Sequence, residues 1–279
     1  MRKVIGLVAG TVLLSIVLAI SGCISDNNSN QDNLQPAILK ISGSTTVLPI
    51  IEESAKKFMT ENRNYMIEVS GGGSGLGIKE SGENLNNIGM SSRDVKKSEF
   101  ESYPSLKVHV IAKDGVAIII NPENPISGLT KEQTIKIYAG EITNWKDVGG
   151  PDAPINVYTR DEQSGTREVF FEKAISKADI TKRAVVVASN GAMKASVRAD
   201  KNGIGYLSIG YLDEAVKGVK FEGVEPTEEN ALSGKYIVSR DLLVVTNGDP
   251  NPSEKAFIDF LLSNRGQEIV KEKGYMQIK

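Results

Sequence analysis

One cysteine and one histidine stand in a chain of 279 residues. With Cys23 alone no intramolecular disulfide can form, and adding His109 still leaves no zinc site of familiar spacing. A serine nucleophile with a histidine base would have to draw on His109. That residue sits in KVHVI (107–111), whose alternation reads as a strand and gives the ring a structural place. Excess charge of either sign is also missing: 33 Lys and Arg stand against 35 Asp and Glu, for a net −2. No broad basic surface is left to neutralise a nucleic-acid backbone, so DNA and RNA partners are excluded. Long hydrophobic runs are absent from the body of the chain, which excludes a wholly membrane-embedded protein.

The one apolar run lies at the start. Arg2 and Lys3 precede Val4 to Ile20, which falls just short of the roughly 20 residues that span a bilayer and leads into small residues before Cys23. This reads as a signal peptide over 1–22, and ISGC (20–23) resembles a lipoprotein lipobox, with Cys23 as the lipid attachment point. The polar SDNNSNQDN (25–33) lacks periodicity and large apolar groups, so 23–37 reads as a lipid-attached flexible linker. The expected location is the outer face of the plasma membrane, anchored by lipid. The remaining length suffices for about two domains, hence a cleft between them.

From Ile38 onward short apolar runs alternate with helix-like segments, which predicts α/β construction with largely parallel sheets. Strands are expected at Ile38–Ile41, Met66–Val69, Val108–Ile111, Val116–Ile120, Ile155–Tyr158, Ala184–Ala188 and Asp241–Thr246. VAIII (116–120) and LLVV (242–245) lack polar alternation and belong in sheet interiors. Helices are expected at Ile50–Glu61, at Glu254–Asn264 and after Thr166.

One theme recurs: a strand, then a glycine and hydroxyl cluster, then a helix. The instances are SGSTT (42–46), SGGGSG (70–75), GMSS (89–92) and QSGT (163–166). Each would sit at the carboxyl end of a strand and at a helix amino terminus, where free N–H groups point outward and attract an oxyanion. Ser and Thr are also the preferred helix caps, and capping accounts for any one cluster alone. It does not account for three consecutive glycines followed by Ser-Gly, nor for Arg160 beside the fourth cluster. The planar fork of Arg160 could grip two oxygens, with Glu162 holding the guanidinium. GGGSGLG (71–77) fails the dinucleotide, Walker A and serine-elbow patterns, because Leu76 and Ile78 stand where those motifs need Gly and Lys. Arg93 and Arg167 read first as surface or ion-pair residues, and Trp145 as a packing residue before a lid.

Taken together these segments resemble the solute-binding lipoproteins and periplasmic proteins of the high-affinity phosphate ABC transporter. The carriers are GSTT (43–46), GSG (73–75) with Ile78 and Lys79, IGMSS (88–92), RDEQSGT (160–166), IYAGEITNW (137–145), GIGY (203–206) and PTEEN (226–230). The resemblance implies a two-lobed periplasmic-binding-protein-like fold (type II) with two chain crossovers at the hinge. Lobe I would comprise 38–115 plus 241–279, and lobe II 116–240. It implies a non-enzymatic binder of inorganic phosphate that serves ABC permease subunits, a monomer needing neither cofactor nor metal. By position, Ser44, Thr45, Thr46, Ser74, Ser92, Arg160, Ser164, Gly165 and Thr166 would contact phosphate. Gly75, Ser91, Arg93, Asp94 and Glu162 would support them, Glu162 by orienting the arginine.

One departure stands out. Well-known members of that family carry an aspartate where Ser92 stands, which accepts a ligand proton and excludes sulfate. Here the acceptor must be another group, with Asp94, Asp161 or Ser92 itself as candidates. Two alternatives compete with the phosphate reading: a cell-surface phosphohydrolase using Ser164 or Thr45 as nucleophile, and a binder of sulfate, molybdate or tungstate.

Overall fold

The computed structural model describes residues 36–278; the expected signal peptide, Cys23 and the linker as far as Gln35 lie outside the described residues. The chain opens with β1 (Ala37–Gly43), α1 (Leu48–Glu61), β2 (Tyr65–Gly71), α2 (Ser74–Gly82), β3 (Ile88–Ser91), α3 (Lys97–Ser102) and β4 (Leu106–Ile120). It continues through β5 (Gly128–Leu129), α4 (Lys131–Ala139), β6 (Asn156–Arg160), α5 (Gly165–Val169), β7 (Val185–Val187), α6 (Asn190–Ala199) and β8 (Gly203–Ser208). After β9 (Lys217–Gly218), β10 (Lys220–Phe221) and α7 (Glu228–Leu232), it closes with β11 (Ser239–Asn247), α8 (Pro252–Leu262) and α9 (Asn264–Glu272).

β1 lies between β2 and β3 and runs parallel to both, so that Gly43 stands level with Gly71 and Met90. Parallel neighbours need a crossover, and α1 and α2 supply it. Helix α1 buries Ile50, Ile51, Ala55 and Phe58, a stripe of helical spacing. Pro49 falls in its first turn, where the missing N–H costs nothing.

The expected break between Val108–Ile111 and Val116–Ile120 is not found. AKDG (112–115) looks like a turn, yet these residues ladder antiparallel with β11, from Leu106 opposite Asn247 to Gly115 opposite Ser239. A partner strand that takes up each backbone group overrides the local turn signal. From Val116 the same strand pairs instead with β8, up to Ile120 opposite Ile204. The sheet is therefore mixed rather than largely parallel: β6 is parallel to β7 and β8, but β11 is antiparallel to β3 and β4.

Two large hydrophobic cores result, beside a small third cluster of Ile78, Leu106 and Val245. Leu39, Ile41, Ile50, Phe58, Met90, Val244 and Phe257 belong to the first. Ile118, Tyr138, Trp145, Phe170, Tyr206 and Phe221 belong to the second. Strand β4 passes from one core to the other between Ala112 and Val116, and the chain returns between Val238 and Leu242. Val116 to Ile120 are each 0% exposed, in keeping with strands covered on both faces. Trp145 is buried and donates from Nε1 to the Asn202 carbonyl at 3.1 Å, a packing role and not a lid. His109 lies within β4, its ring 3.4 Å from the Thr246 hydroxyl.

Candidate functional site

Three parallel strands end at one level, and each passes into a glycine or hydroxyl residue of the recurring theme. Ser44 Oγ accepts from the Thr46 and Val47 amides, so its oxygen is spent on the turn entering α1. Gly73 holds φ +99°, and a Cβ there would stand 2.7 Å from the Gln163 carbonyl oxygen. Glycine is what lets the loop before α2 reach the other half of the molecule, where the Gly75 amide donates to Gln163 at 3.0 Å. After β3 no helix starts at Arg93; α3 begins only at Lys97. Ser91 Oγ donates to the Arg93 carbonyl at 2.7 Å and closes the intervening turn.

The buried hydroxyls converge from both cores. Ser74 and Ser92 are 0% and 1% exposed, with their oxygens 3.3 Å apart and the Ser92 amide donating to Ser74 Oγ at 3.0 Å. Thr46 Oγ1 stands 3.1 Å from Thr166 Oγ1 across the junction between the halves. Ser164 caps α5, its Oγ accepting from the Arg167 amide at 3.1 Å. Gly165 packs so tightly that a Cβ would lie 2.3 Å from Ser74 Oγ. Thr45 is half-buried; its carbonyl accepts from the Tyr211 hydroxyl at 2.8 Å.

Arg160 ends β6 and is 2% exposed. Its backbone N–H donates to the Tyr206 hydroxyl, while Nε and Nη2 donate to the Val187 and Ala188 carbonyls, each at 3.0 Å. A guanidinium has five N–H bonds. The remaining three have no partner among the described residues, and no carboxylate pairs with the group there. Burial pushes the Arg160 guanidinium down from its ordinary value, opposed by Asp161 and Tyr206. The expected orienting role of Glu162 is corrected: Glu162 is exposed, and two backbone carbonyls hold the arginine instead.

Other supporting candidates fall outside this group. Arg93 is forked onto Glu99 at 2.8 and 2.7 Å and reaches Glu168 at 3.4 Å, an ion-pair cluster bridging the halves. Burial raises the Glu99 carboxyl, but Arg93 and the Lys96 amide outweigh it and hold the group below its usual range. Asp94 is exposed, which removes it as an acceptor for a buried ligand.

Three residues of the site escape sequence reading. Arg240, at the start of β11, pairs with Asp114 of β4 at 2.7 Å, with side chains 3% and 1% exposed. Nη1 of Arg240 donates one N–H to Thr166 Oγ1 at 3.0 Å and shares the other between Ser92 O and Ser92 Oγ at 3.1 and 3.3 Å. Its Nη2 donates to Thr46 Oγ1 at 3.2 Å. Asn190 opens α6 and donates to the Thr45 and Thr46 hydroxyls at 3.3 and 2.9 Å, while its Oδ1 accepts from the Ser208 amide. Asp114 also accepts from Ser208 Oγ at 2.9 Å; burial pushes its carboxyl up, opposed by Arg240, Ser208 and the Gly115 amide. Only Asn190 carries a local signal, since Ser189 caps the helix that it starts.

Every N–H of Arg240 is thus committed within the protein, whereas Arg160 keeps N–H bonds to offer. The arrangement suits a small anion gripped by one guanidinium and a ring of hydroxyls in a low-dielectric space.

Comparison with known proteins agrees. A sequence model described as the PBP superfamily domain matches residues 28–265. The chain is 36% identical to a phosphate-binding protein PstS of Borreliella burgdorferi, over 96% of this chain and 99% of that protein. It is 31% identical to the Bacillus subtilis protein of that name, over 99% and 94%. Among solved structures, a phosphate ABC transporter substrate-binding protein with bound phosphate from Clostridium perfringens superposes with a TM-score of 0.83. The identity is 42%, over 87% of this chain and all of that one. An ABC-type phosphate transport receptor from Vibrio cholerae gives 0.72 at 37% identity, covering 86% and 99%.

Proposed function

The chain belongs to the PBP superfamily, and from that membership and the geometry of its site we propose that it captures inorganic phosphate and delivers it to an ABC transporter permease. It is an extracytoplasmic solute-binding protein of the two-lobed type II class, and it is not an enzyme: its relatives are named as phosphate-binding components. The observation that carries the reading is Arg160, a cation at 2% exposure with no carboxylate partner among the described residues. A buried charge without a counter-ion is costly, and an anionic ligand supplies the missing partner.

We assign 38–115 plus 241–279 to one lobe and 116–240 to the other. Ligand contacts then fall to Ser74, Ser92 and Thr45 of the first, and to Arg160, Ser164, Gly165 and Thr166 of the second, while the Thr46 amide and hydroxyl are spent within the protein. With the lobes apart these groups are hydrated; when they converge, each charge-assisted hydrogen bond gains strength in the lower dielectric. Cys23 carries the lipid anchor in this reading, and the protein acts as a monomer above the membrane. Calorimetric titration of phosphate into the purified protein should show one saturable site, and no heat of binding would refute the proposal.

Closure itself is testable at Gly165. Its Cβ would meet Ser74 Oγ at 2.3 Å and Ser92 Oγ at 2.8 Å, so Gly165→Ala should hold the lobes apart. Alanine suits a helix, so the fold should survive with unchanged thermal unfolding of the ligand-free protein. Phosphate affinity should drop by about tenfold or more, as expected when a packed contact is overfilled by 1–3 kcal/mol.

A further inference from the structure

We infer that the Ser74–Ser92 hydroxyl pair receives the proton of the bound oxyanion, whereas Thr166 can only donate to it. This rests on the phosphate reading above and names the group in the same site that recognises a ligand proton. A hydroxyl has one proton and two lone pairs, so the hydrogen bonds around each oxygen decide what is left for a ligand.

Thr46 Oγ1 accepts from Arg240 Nη2 and from Asn190 Nδ2. Both lone pairs are filled, and its proton goes to Thr166 Oγ1 at 3.1 Å. The Asn190 amide cannot be turned round, because its oxygen already accepts from the Ser208 amide. Thr166 Oγ1 then accepts from Thr46 and from Arg240 Nη1. Its own lone pairs are also filled, so the one thing it can present is a proton.

The serine pair differs by one bond. Ser74 Oγ accepts from the Ser92 amide, Ser92 Oγ accepts from Arg240 Nη1, and one proton is shared between the two oxygens. Whichever serine donates that proton, the pair retains one free proton and one free lone pair. Among the four hydroxyls of this network that lone pair is the acceptor left; outside it, Ser164 Oγ and Thr45 Oγ1 each accept one bond, from the Arg167 amide and from Asn190 Nδ2. Of the carboxylates nearest in sequence, Asp94 is exposed and Asp161 is half-buried with Oδ1 accepting from the Gln163 amide, so neither is enclosed with the serine pair. Both oxygens of Asp114 are taken by Arg240 and Ser208.

A neutral lone pair discriminates less sharply than a carboxylate. Facing a sulfate oxygen it meets another lone pair and forfeits a bond, but the 3.3 Å bond between the serines can open and let both donate. Phosphate and sulfate should therefore differ in affinity by about tenfold to a hundredfold at a pH where phosphate is largely the monoprotonated dianion.

The test is the ratio of phosphate to sulfate dissociation constants, with both anions titrated into the same preparation, so that a partly folded sample alters stoichiometry and not the ratio. Ser74→Ala/Ser92→Ala, which removes the lone pair, should bring the ratio to within about threefold of unity. Ser92→Asp, which installs a carboxylate, should widen it beyond about a thousandfold. The inference is overturned if the double variant keeps the parent ratio or if Ser92→Asp leaves it unchanged. A parent ratio near unity, or above about a thousandfold, overturns it too. A parent protein that binds neither anion would instead refute the phosphate reading itself.

Discussion

Replacing Arg160 by alanine is expected to weaken phosphate binding by a factor of roughly thirty to several thousand, the range for removing one partner of a buried hydrogen-bonded charge pair. The guanidinium reaches the site with its orientation already set by the Val187 and Ala188 carbonyls, so little rotamer freedom is lost on binding. Its remaining N–H bonds form a fork matched to a tetrahedral anion. Arg160→Lys keeps the charge but lacks the fork, and should fall between the parent and the alanine variant. The ligand-free protein should respond quite differently. Removing Arg160 relieves an uncompensated buried cation but leaves the two carbonyls without their donors, and the effects oppose each other. Thermal unfolding in phosphate-free buffer should therefore change little, while the rise in Tm on adding phosphate should nearly vanish. An alanine variant with parental calorimetric affinity would remove Arg160 from the site.

The parts of this site that were legible in the sequence are those encoded locally. Each strand, turn and helix start lies within about ten residues, so glycine, hydroxyl and apolar patterning mark Gly43–Thr46, Gly73–Gly75 and Arg160–Thr166 without knowledge of the fold. Arg240 is illegible for the opposite reason: its partners Asp114 and Thr46 lie 126 and 194 residues away. In the sequence it is one arginine before a buried strand. Asp114 is worse than silent, since Asp-Gly is a turn signal and the residue sits inside a continuous strand. The mixed sheet has the same origin. β4 and β11 meet as neighbours because both cross between the cores, and such a pairing leaves no local trace. Glu162 failed because position along the chain does not fix direction; the loop turns it to solvent while the end of β7 and the residue after it supply the carbonyls that hold Arg160.

The second large effect belongs to the Arg240–Asp114 pair, and its two halves should fail in different ways. Asp114→Ala strands a buried guanidinium that cannot lose its proton, and the loss of stability should be about 3–5 kcal/mol at any pH where the protein folds. Arg240→Ala strands a carboxylate, which can take up a proton. Burial already pushes the Asp114 carboxyl above its ordinary value with Arg240 in place, and without the arginine it should rise further. A folded-state value above the unfolded one means that protonation favours the folded form. The deficit of Arg240→Ala should therefore be largest at high pH and shrink as pH falls through that raised value. Thermal unfolding of both variants across pH 5 to 8 separates the cases, and parallel profiles would contradict this account of the pair. Exchanging both for apolar residues, as in Asp114→Leu/Arg240→Met, removes both charges together and should recover much of the stability. Phosphate affinity should not recover with it. Without Arg240, Thr46, Ser92 and Thr166 lose the donor that orders their protons, and the anion must then orient those hydroxyls itself. A double variant that regained stability and affinity together would show that the pair serves packing alone.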